Sequence, residues 1–305
     1  MNETKQKLIA ISGPSSTGKS ELAVKLAKHF ETEIISVDSR QIYREINIGS
    51  AKPSEEEKQG IKHHLMDFLN PDEEYTVANF CDDALCVINE LFKNGKTPVL
   101  AGGTGLYYRV LLQDFDLPRV APDKQLREEL EQKSNEELFK ILSEKDEETA
   151  KKIHPNNRVK VIRALEVILT LNEKMSVAQK KKENPFDVLW IGLDAKDRQF
   201  LYERANRRVD LMMEIGLLDE VKTLFEKYPN NKILTSTIGY QEFMPYFDKT
   251  QTIDECVEKL KQNTRNYIKR QLSWFRANKD INWFYIDEMS LDEIFEKVVE
   301  KYFNG

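Results

Sequence analysis

The chain reads as an α/β protein, a parallel sheet flanked by helices and interrupted by an inserted all-helical subdomain. Three observations predict this. Short apolar runs alternate with helix-period segments along the first hundred residues, and such alternation implies right-handed crossovers between parallel strands. From Leu117 to about Pro185 the β signals vanish, and a charged, helix-prone stretch takes over with Pro118, Pro122 and Pro185 near its edges. A β-like run then returns at Val188. The expected division is a core of 1–116 and 185–305 around a helical insertion of 117–184, in keeping with one large domain or two smaller ones for 305 residues.

The first strand is the apolar run Lys7–Ser12, which passes through a Gly-rich turn into a helical pattern from Lys19 to Phe30. A second β-like run, Glu33–Asp38, stops at Asp38-Ser39, and a third, Thr97–Ala101, runs into Gly102-Gly103 with helix signals from about Leu106. After the insertion come a strand at Val188–Leu193, a helix over Asp197–Tyr228 with a break near Gly216, and another over Ile253–Asn278. A strand-like Trp283–Ile286 precedes a terminal helix reaching about Tyr302.

Composition narrows the class. No apolar run approaches the roughly 20 residues of a membrane span, and the polar start MNETKQK lacks a signal-peptide stretch, so the expected location is the cytoplasm, with a monomer the expected state. Three cysteines without C-x-x-C spacing and four histidines, two of them adjacent, offer neither a disulfide framework nor a zinc site. The net charge of −6 is unevenly placed: Lys259 to Lys279 holds seven basic residues and no acidic one, and Lys151 to Lys182 nine basic against two acidic. Such asymmetry either focuses a polyanion onto one surface or marks two solvated helix faces.

The turn Gly13-Pro14-Ser15-Ser16-Thr17-Gly18-Lys19-Ser20 matches the nucleotide-binding pattern G-x-x-x-x-G-K-[ST] in full, with a strand before it and a helix after. The fold class is therefore P-loop NTPase-like. Backbone amides and the helix amino terminus cradle phosphate oxygens, Lys19 reaches the terminal phosphate, and the Ser20 hydroxyl is the expected ligand for Mg²⁺. The motif does not say whether ATP or another diphosphate is held. Asp38, at the carboxyl end of a parallel strand, is in position to hold Mg²⁺ through water, to act as a general base, or to close a turn. One of Arg204, Arg207 and Arg208 is expected to clamp the diphosphate, with Arg208 preferred.

Asp38-Ser39-Arg40-Gln41-Ile42-Tyr43-Arg44 followed by Ile48-Gly49-Ser50-Ala51-Lys52-Pro53 resembles the tRNA dimethylallyltransferases (isopentenyltransferases). The family's order continues through His63-His64-Leu65-Met66-Asp67, Gly102-Gly103-Thr104-Gly105-Leu106-Tyr107, His154-Pro155-Asn156, Arg163-Ala164-Leu165-Glu166, Ile238-Gly239-Tyr240, Lys269-Arg270-Gln271 and Trp274-Phe275-Arg276. The likeness spans about residues 8 to 286 and is to the bacterial form, without the zinc-finger extension of eukaryotic members. Lys62, Asn157 and Lys160 depart from the usual pattern.

The resemblance implies transfer of a dimethylallyl group from dimethylallyl diphosphate to N6 of adenosine 37 in tRNA. Asp38 then takes the amine proton, Thr104 joins the reacting groups, and Gln41 reads the adenine edge. Along the Ile253–Asn278 helix, Lys261, Arg265, Lys269 and Arg276 share one face, expected to present a basic stripe to the RNA backbone beside a buried apolar face. The expected tRNA contacts are Asp38, Ser39, Arg40, Gln41, Thr104, Arg127, Lys160, Arg163, Lys269, Arg270, Trp274 and Arg276. Trp274 either stacks on a base or lies in the core, and the insertion is expected to close over the anticodon stem-loop. A P-loop kinase with Asp38 as base, and an RNA-binding protein switched by ATP, are the alternatives; neither accounts for the ordered motifs.

Overall fold

The computed structural model describes residues 5–113, 118, 120, 121, 123–178 and 183–304. It divides into two compact units, Met1–Leu112 with Pro185–Gly305, and Gln113–Asn184. Leu117, Pro122 and Lys182, which mark edges in the sequence reading, lie outside the described residues.

The larger unit is built on one six-stranded sheet: β1 (Gln6–Ser12), β2 (Ile34–Ser36), β3 (His63–His64), β4 (Val99–Ala101), β5 (Phe186–Asp194) and β6 (Asn282–Tyr285). Their spatial order is β3-β2-β4-β1-β5-β6, and every neighbouring pair is parallel. β1 is central, so both of its faces are covered, which is why it reads as an unbroken apolar run rather than an alternation. Leu8 and Ala10 pack with Ile35, Val37 and Leu100 beneath the helices Val77–Lys93 and Gly105–Leu112. Ile9 and Ile11 point the other way, into a core shared with the helices Lys19–His29 and Leu291–Asn304. Helices on both faces leave the carboxyl ends of the strands as the open crevice where ligands bind in such sheets.

The predicted strands and long helices are present, with ends shifted by a few residues. Gly216, with φ of 100°, starts the helix Leu217–Lys227 after Arg198–Glu214 ends, as the predicted break requires. The two-residue edge strand β3 is not foreseen in the sequence reading: a His pair carries no apolar run, and its place is set by pairing to β2 and by the His64–Glu33 hydrogen bond at 2.6 Å. No helix among the described residues is long and apolar enough to cross a membrane.

The smaller unit is all-helical in its described residues. Helices Lys124–Glu131, Asn135–Lys145 and Arg158–Leu171 enclose Leu130, Leu138, Leu142, Val161 and Leu165. Glu166, fully buried there, accepts from Arg127 Nε (2.7 Å) and Nη2 (2.9 Å), from Arg163, and from the Asp123 N–H at 2.8 Å. Arg127 and Arg163, expected to face RNA, both pair with this carboxylate, as a buried charge requires, and both side chains stay partly exposed. Lys160 is exposed.

Candidate active site

Three strand ends build the site. β1 leads into the phosphate loop, whose Gly13 has φ of 141° and lies so close to β5 that a Cβ would stand 2.4 Å from Leu193 O. Gly18, at φ 88°, begins the helix Lys19–His29 with no side-chain cap, so its first-turn N–H groups are left for an anion. Thr17 Oγ1 donates to Pro14 O at 2.9 Å and Lys19 Nζ to the same oxygen at 2.6 Å, which closes the loop. Ser16 is held at φ 66°, and its buried hydroxyl has no partner among the described residues.

β2 leads to Asp38. Its Oδ1 accepts the Arg40 N–H at 2.8 Å and the Gln41 N–H at 3.3 Å, the turn arrangement open to an Asp-Ser pair. Oδ2 makes no hydrogen bond among the described residues. Burial raises the carboxyl above its ordinary range, against the two amides and the Arg40 and Lys19 charges. β4 leads to Thr104, whose Oγ1 accepts the Ser39 N–H at 3.0 Å. Thr104 therefore joins the site by holding the Asp38 turn, and it is absent from the walls of the two cavities described next.

A cavity of about 750 Å³ is lined by Ser16 to Ser20 together with Lys25, Arg204, Arg207 and Arg208. A second, of about 370 Å³, is lined by Ser15, Asp38, Ser39, Arg40, Arg270 and the apolar Val209, Met212 and Leu260. Ser16, Ala51 and Arg208 line both. Of the three arginines of the Arg198–Glu214 helix, Arg204 donates to Ser16 O at 2.9 Å, and Arg208 reaches Ala51 O at 3.4 Å. Only Arg208 borders the Asp38 cavity as well. Burial and the neighbouring Arg208 push Lys19 down to about 7, partly offset by Asp38. The cavity wall sets Lys19, Lys25 and three arginines against Glu21 and Glu57, an excess of positive charge that suits an anion.

Two residues missed from sequence hold these loops. Gln271 lies between the phosphate loop and Gly103, with Oε1 accepting from Ser15 and Nε2 donating to Gly103 O. Glu220 accepts the N–H groups of Ile48 (2.9 Å) and Gly49 (3.0 Å) and the Tyr240 hydroxyl (2.5 Å), fixing the loop that carries Ala51. The signal was present in the quoted motifs, which contain Gly49, Tyr240 and Gln271.

Other expectations are corrected. Gln41 does not offer its amide to a base: Nε2 donates to Ser50 O (3.3 Å) and Ala51 O (3.1 Å), while Oε1 accepts from Ser36 Oγ (3.1 Å). The basic stripe of Ile253–Phe275 turns toward the helix Arg198–Glu214. Lys261 pairs with Asp210 at 2.8 Å, Arg265 bonds Asn206 at 2.7 Å, and Lys269 lies over the Tyr202 ring. Beyond the helix end, Arg276 pairs at 2.8 Å with the buried Asp194. Lys269, Arg270, Trp274 and Arg276 remain exposed. Trp274, at 41% exposure, is not a core residue.

A family model described as IPP transferase matches residues 41–278. A tRNA dimethylallyltransferase of Acetivibrio thermocellus is 44% identical over 97% of this chain and 96% of its own; one of Bacillus subtilis is 41% identical over 99% of each. Among solved structures, a tRNA delta(2)-isopentenylpyrophosphate transferase of Staphylococcus epidermidis is similar with a TM-score of 0.73 and 37% identity, over 98% of this chain and 99% of that one. A eukaryotic dimethylallyltransferase acting on tRNA is similar with a TM-score of 0.81 and 31% identity, over 92% of this chain and 74% of that one.

Proposed function

The chain belongs to the IPP transferase family, the tRNA dimethylallyltransferases, and on that premise we propose that it transfers a dimethylallyl group from dimethylallyl diphosphate to N6 of adenosine 37 in tRNA, next to the anticodon. The products are N6-(dimethylallyl)adenosine and diphosphate. One observation carries the reading: the basic phosphate cavity and the Asp38 cavity share Ser16, Ala51 and Arg208. A diphosphate at one end and an amine at the other can therefore meet at one carbon.

The phosphate-loop amides, Lys19 and Arg208 hold the diphosphate and stabilise the charge that builds on it as the allylic carbon–oxygen bond breaks. That bond's electron pair leaves with the diphosphate. The adenine N6 lone pair forms the new carbon–nitrogen bond, and Asp38 Oδ2 takes the N6 proton, a task helped by burial that raises its basicity. Val209, Met212 and Leu260 give the dimethylallyl group an apolar wall. Ser20 lines the basic cavity, and a hydroxyl together with substrate phosphate oxygens is a donor set that suits Mg²⁺. Ser20 would then hold the ion, which offsets charge on the leaving group.

Arg40, Lys269, Arg270 and Trp274 are the proposed tRNA contacts of the larger unit, and Lys160 that of the smaller. The target base is stacked in its loop and must be extruded to reach Asp38. The protein is taken to act as a monomer in the cytoplasm.

The test incubates protein and Mg²⁺ with unmodified tRNA and either dimethylallyl diphosphate or ATP, then weighs the digested nucleosides. An adenosine gaining one dimethylallyl group only with the prenyl donor is the expected result. Consumption of ATP without tRNA modification, or tight tRNA binding with no mass gain, would replace this reading with a kinase or an RNA-binding switch.

A further inference from the structure

We propose that Gln271 is a positioning residue for prenyl transfer, holding the phosphate loop and the Asp38 turn at a fixed separation; the inference rests on the reaction proposed above. Gln271 is 4% exposed and is absent from the walls of both cavities. Its amide nevertheless bonds both loops, and the side chain also bonds Tyr267. Oε1 accepts the Ser15 N–H at 3.0 Å and the Ser15 hydroxyl at 3.4 Å, and Nε2 donates to Gly103 O at 3.0 Å. One phosphate-loop amide is thereby directed at Gln271.

From Gly103 the linkage continues one residue to Thr104, whose hydroxyl oxygen holds the Ser39 N–H beside Asp38. A single primary amide therefore stands between the loop that takes the leaving group and the turn that takes the proton. Gly103 is fitted to that amide, since a Cβ there would stand 2.3 Å from Gln271 Nε2. The glycine has no positive φ, so its need is for space rather than for backbone freedom. Gln271 is supplied by the helix Ile253–Phe275, which starts in a Thr252–Glu255 capping box, and its neighbours Ile268, Leu272 and Phe275 are buried. The amide is thus fixed from a third, rigid element.

Each half of the site binds its own ligand through local groups: phosphate-loop amides and Lys19 on one side, Asp38 and Arg40 on the other. What Gln271 controls is the distance between the halves. Transfer requires the reacting carbon and nitrogen to meet at about 3–3.5 Å, and a displacement of about 1 Å costs on the order of a hundredfold in rate. Loss of the amide is therefore expected to reduce the chemical step and to leave the two affinities nearly intact.

The experiment compares the parent protein with Gln271→Met, which keeps the length without donor or acceptor, with Gly103→Ala, which displaces the amide by contact, and with the double variant. Dissociation constants for dimethylallyl diphosphate and for tRNA are measured separately, and the transfer rate in a single turnover. The expected result is affinities within about threefold of the parent and a rate lower by about 30- to 100-fold. The double variant should be no slower than the worse single one by more than about threefold, because both remove the same linkage. An unchanged rate overturns the proposal. So does a rate loss matched by equal losses of both affinities, which marks a general loosening, and so does a double variant whose losses multiply. If Gln271→Met fails to fold, Gly103→Ala, whose added Cβ presses on the Gln271 amide alone, decides the matter by the same two readouts. A parent protein that does not prenylate tRNA would remove the underlying reading before any variant is compared.

Discussion

If Lys19 holds the diphosphate as proposed, affinity for it is expected to fall as pH rises through neutrality. In the free protein burial and Arg208 bring its ammonium down to about 7. A bound diphosphate restores the missing negative charge and returns the bound-state value to the ordinary lysine range, near 10.4. The sign follows from linkage: the ligand binds the protonated form, so affinity is full below pH 7 and is lost above it. With a free value of about 7, half of the lysines are neutral at pH 7 and nearly all at pH 9. Affinity then drops by about fiftyfold between those two pH values, approaching a factor of ten per unit. The ligand's own last ionisation, near about 6 as for other phosphate esters, is complete across this range. Calorimetric titration of dimethylallyl diphosphate at constant Mg²⁺, in buffers of different ionisation enthalpy, reads both quantities, with an uptake of about half a proton at pH 7 and about one at pH 9. Lys19→Arg keeps a charge that does not titrate here and should abolish the slope. Arg208→Gln removes a lowering influence and should move the midpoint above that of the parent, whereas Asp38→Asn removes a raising one and should move it below. A dissociation constant that is flat from pH 7 to pH 9, or an equal slope in Lys19→Arg, would refute the reasoning.

Asp38→Asn keeps the shape of the turn and removes the base, so single-turnover transfer should slow by about 10²- to 10⁴-fold while tRNA affinity stays within a few-fold; near-normal turnover would exclude Asp38 as the proton acceptor. Glu166→Ala leaves the Asp123 N–H and the partly exposed Arg127 and Arg163 without their shared carboxylate and should destabilise the smaller unit by about 1–3 kcal/mol, seen as lost amide protection in helix Arg158–Leu171. Burial acts to raise the Glu166 carboxyl, but Arg127, Arg163 and the Asp123 amide outweigh it and hold the value below its ordinary one. Its stabilisation is therefore full above the ordinary glutamate range and is lost as pH falls through the lower folded value, which amide protection measured against pH will show. Trp274→Ala should weaken tRNA binding by about 1–3 kcal/mol if the exposed ring stacks on a base, with little change in melting temperature; unchanged affinity would return the ring to a surface role.

The parts of the site legible in the sequence are those whose geometry is local. A phosphate loop needs its glycines and lysine within eight residues, so Gly13 to Ser20 declare it directly, and Asp38 and Thr104 follow because the parallel strands β2 and β4 end at the same crevice. What sequence could not supply was the partner of each charge. Arg127 and Arg163 count as two positive charges in a tally, yet they neutralise one buried glutamate. Arg276 similarly holds Asp194 from 82 residues away. A helical wheel for Ile253–Phe275 separates one apolar face from one basic face and assumes that only the first is covered. This helix also packs against Arg198–Glu214, and the long stems of Lys261 and Arg265 lie along that neighbour while their heads reach Asp210 and Asn206. Lys269, Arg270 and Trp274 stay exposed near the helix end, with Arg276 exposed just beyond it. Gln271 lies between them and faces inward, 256 residues from the Ser15 it holds. The same helical turn thus carries the proposed RNA contacts on its exposed side and the brace of the two reacting loops on its buried side. Nothing in the spacing of Lys269-Arg270-Gln271 separates those two roles; the direction in which the chain's other elements pack against the helix does.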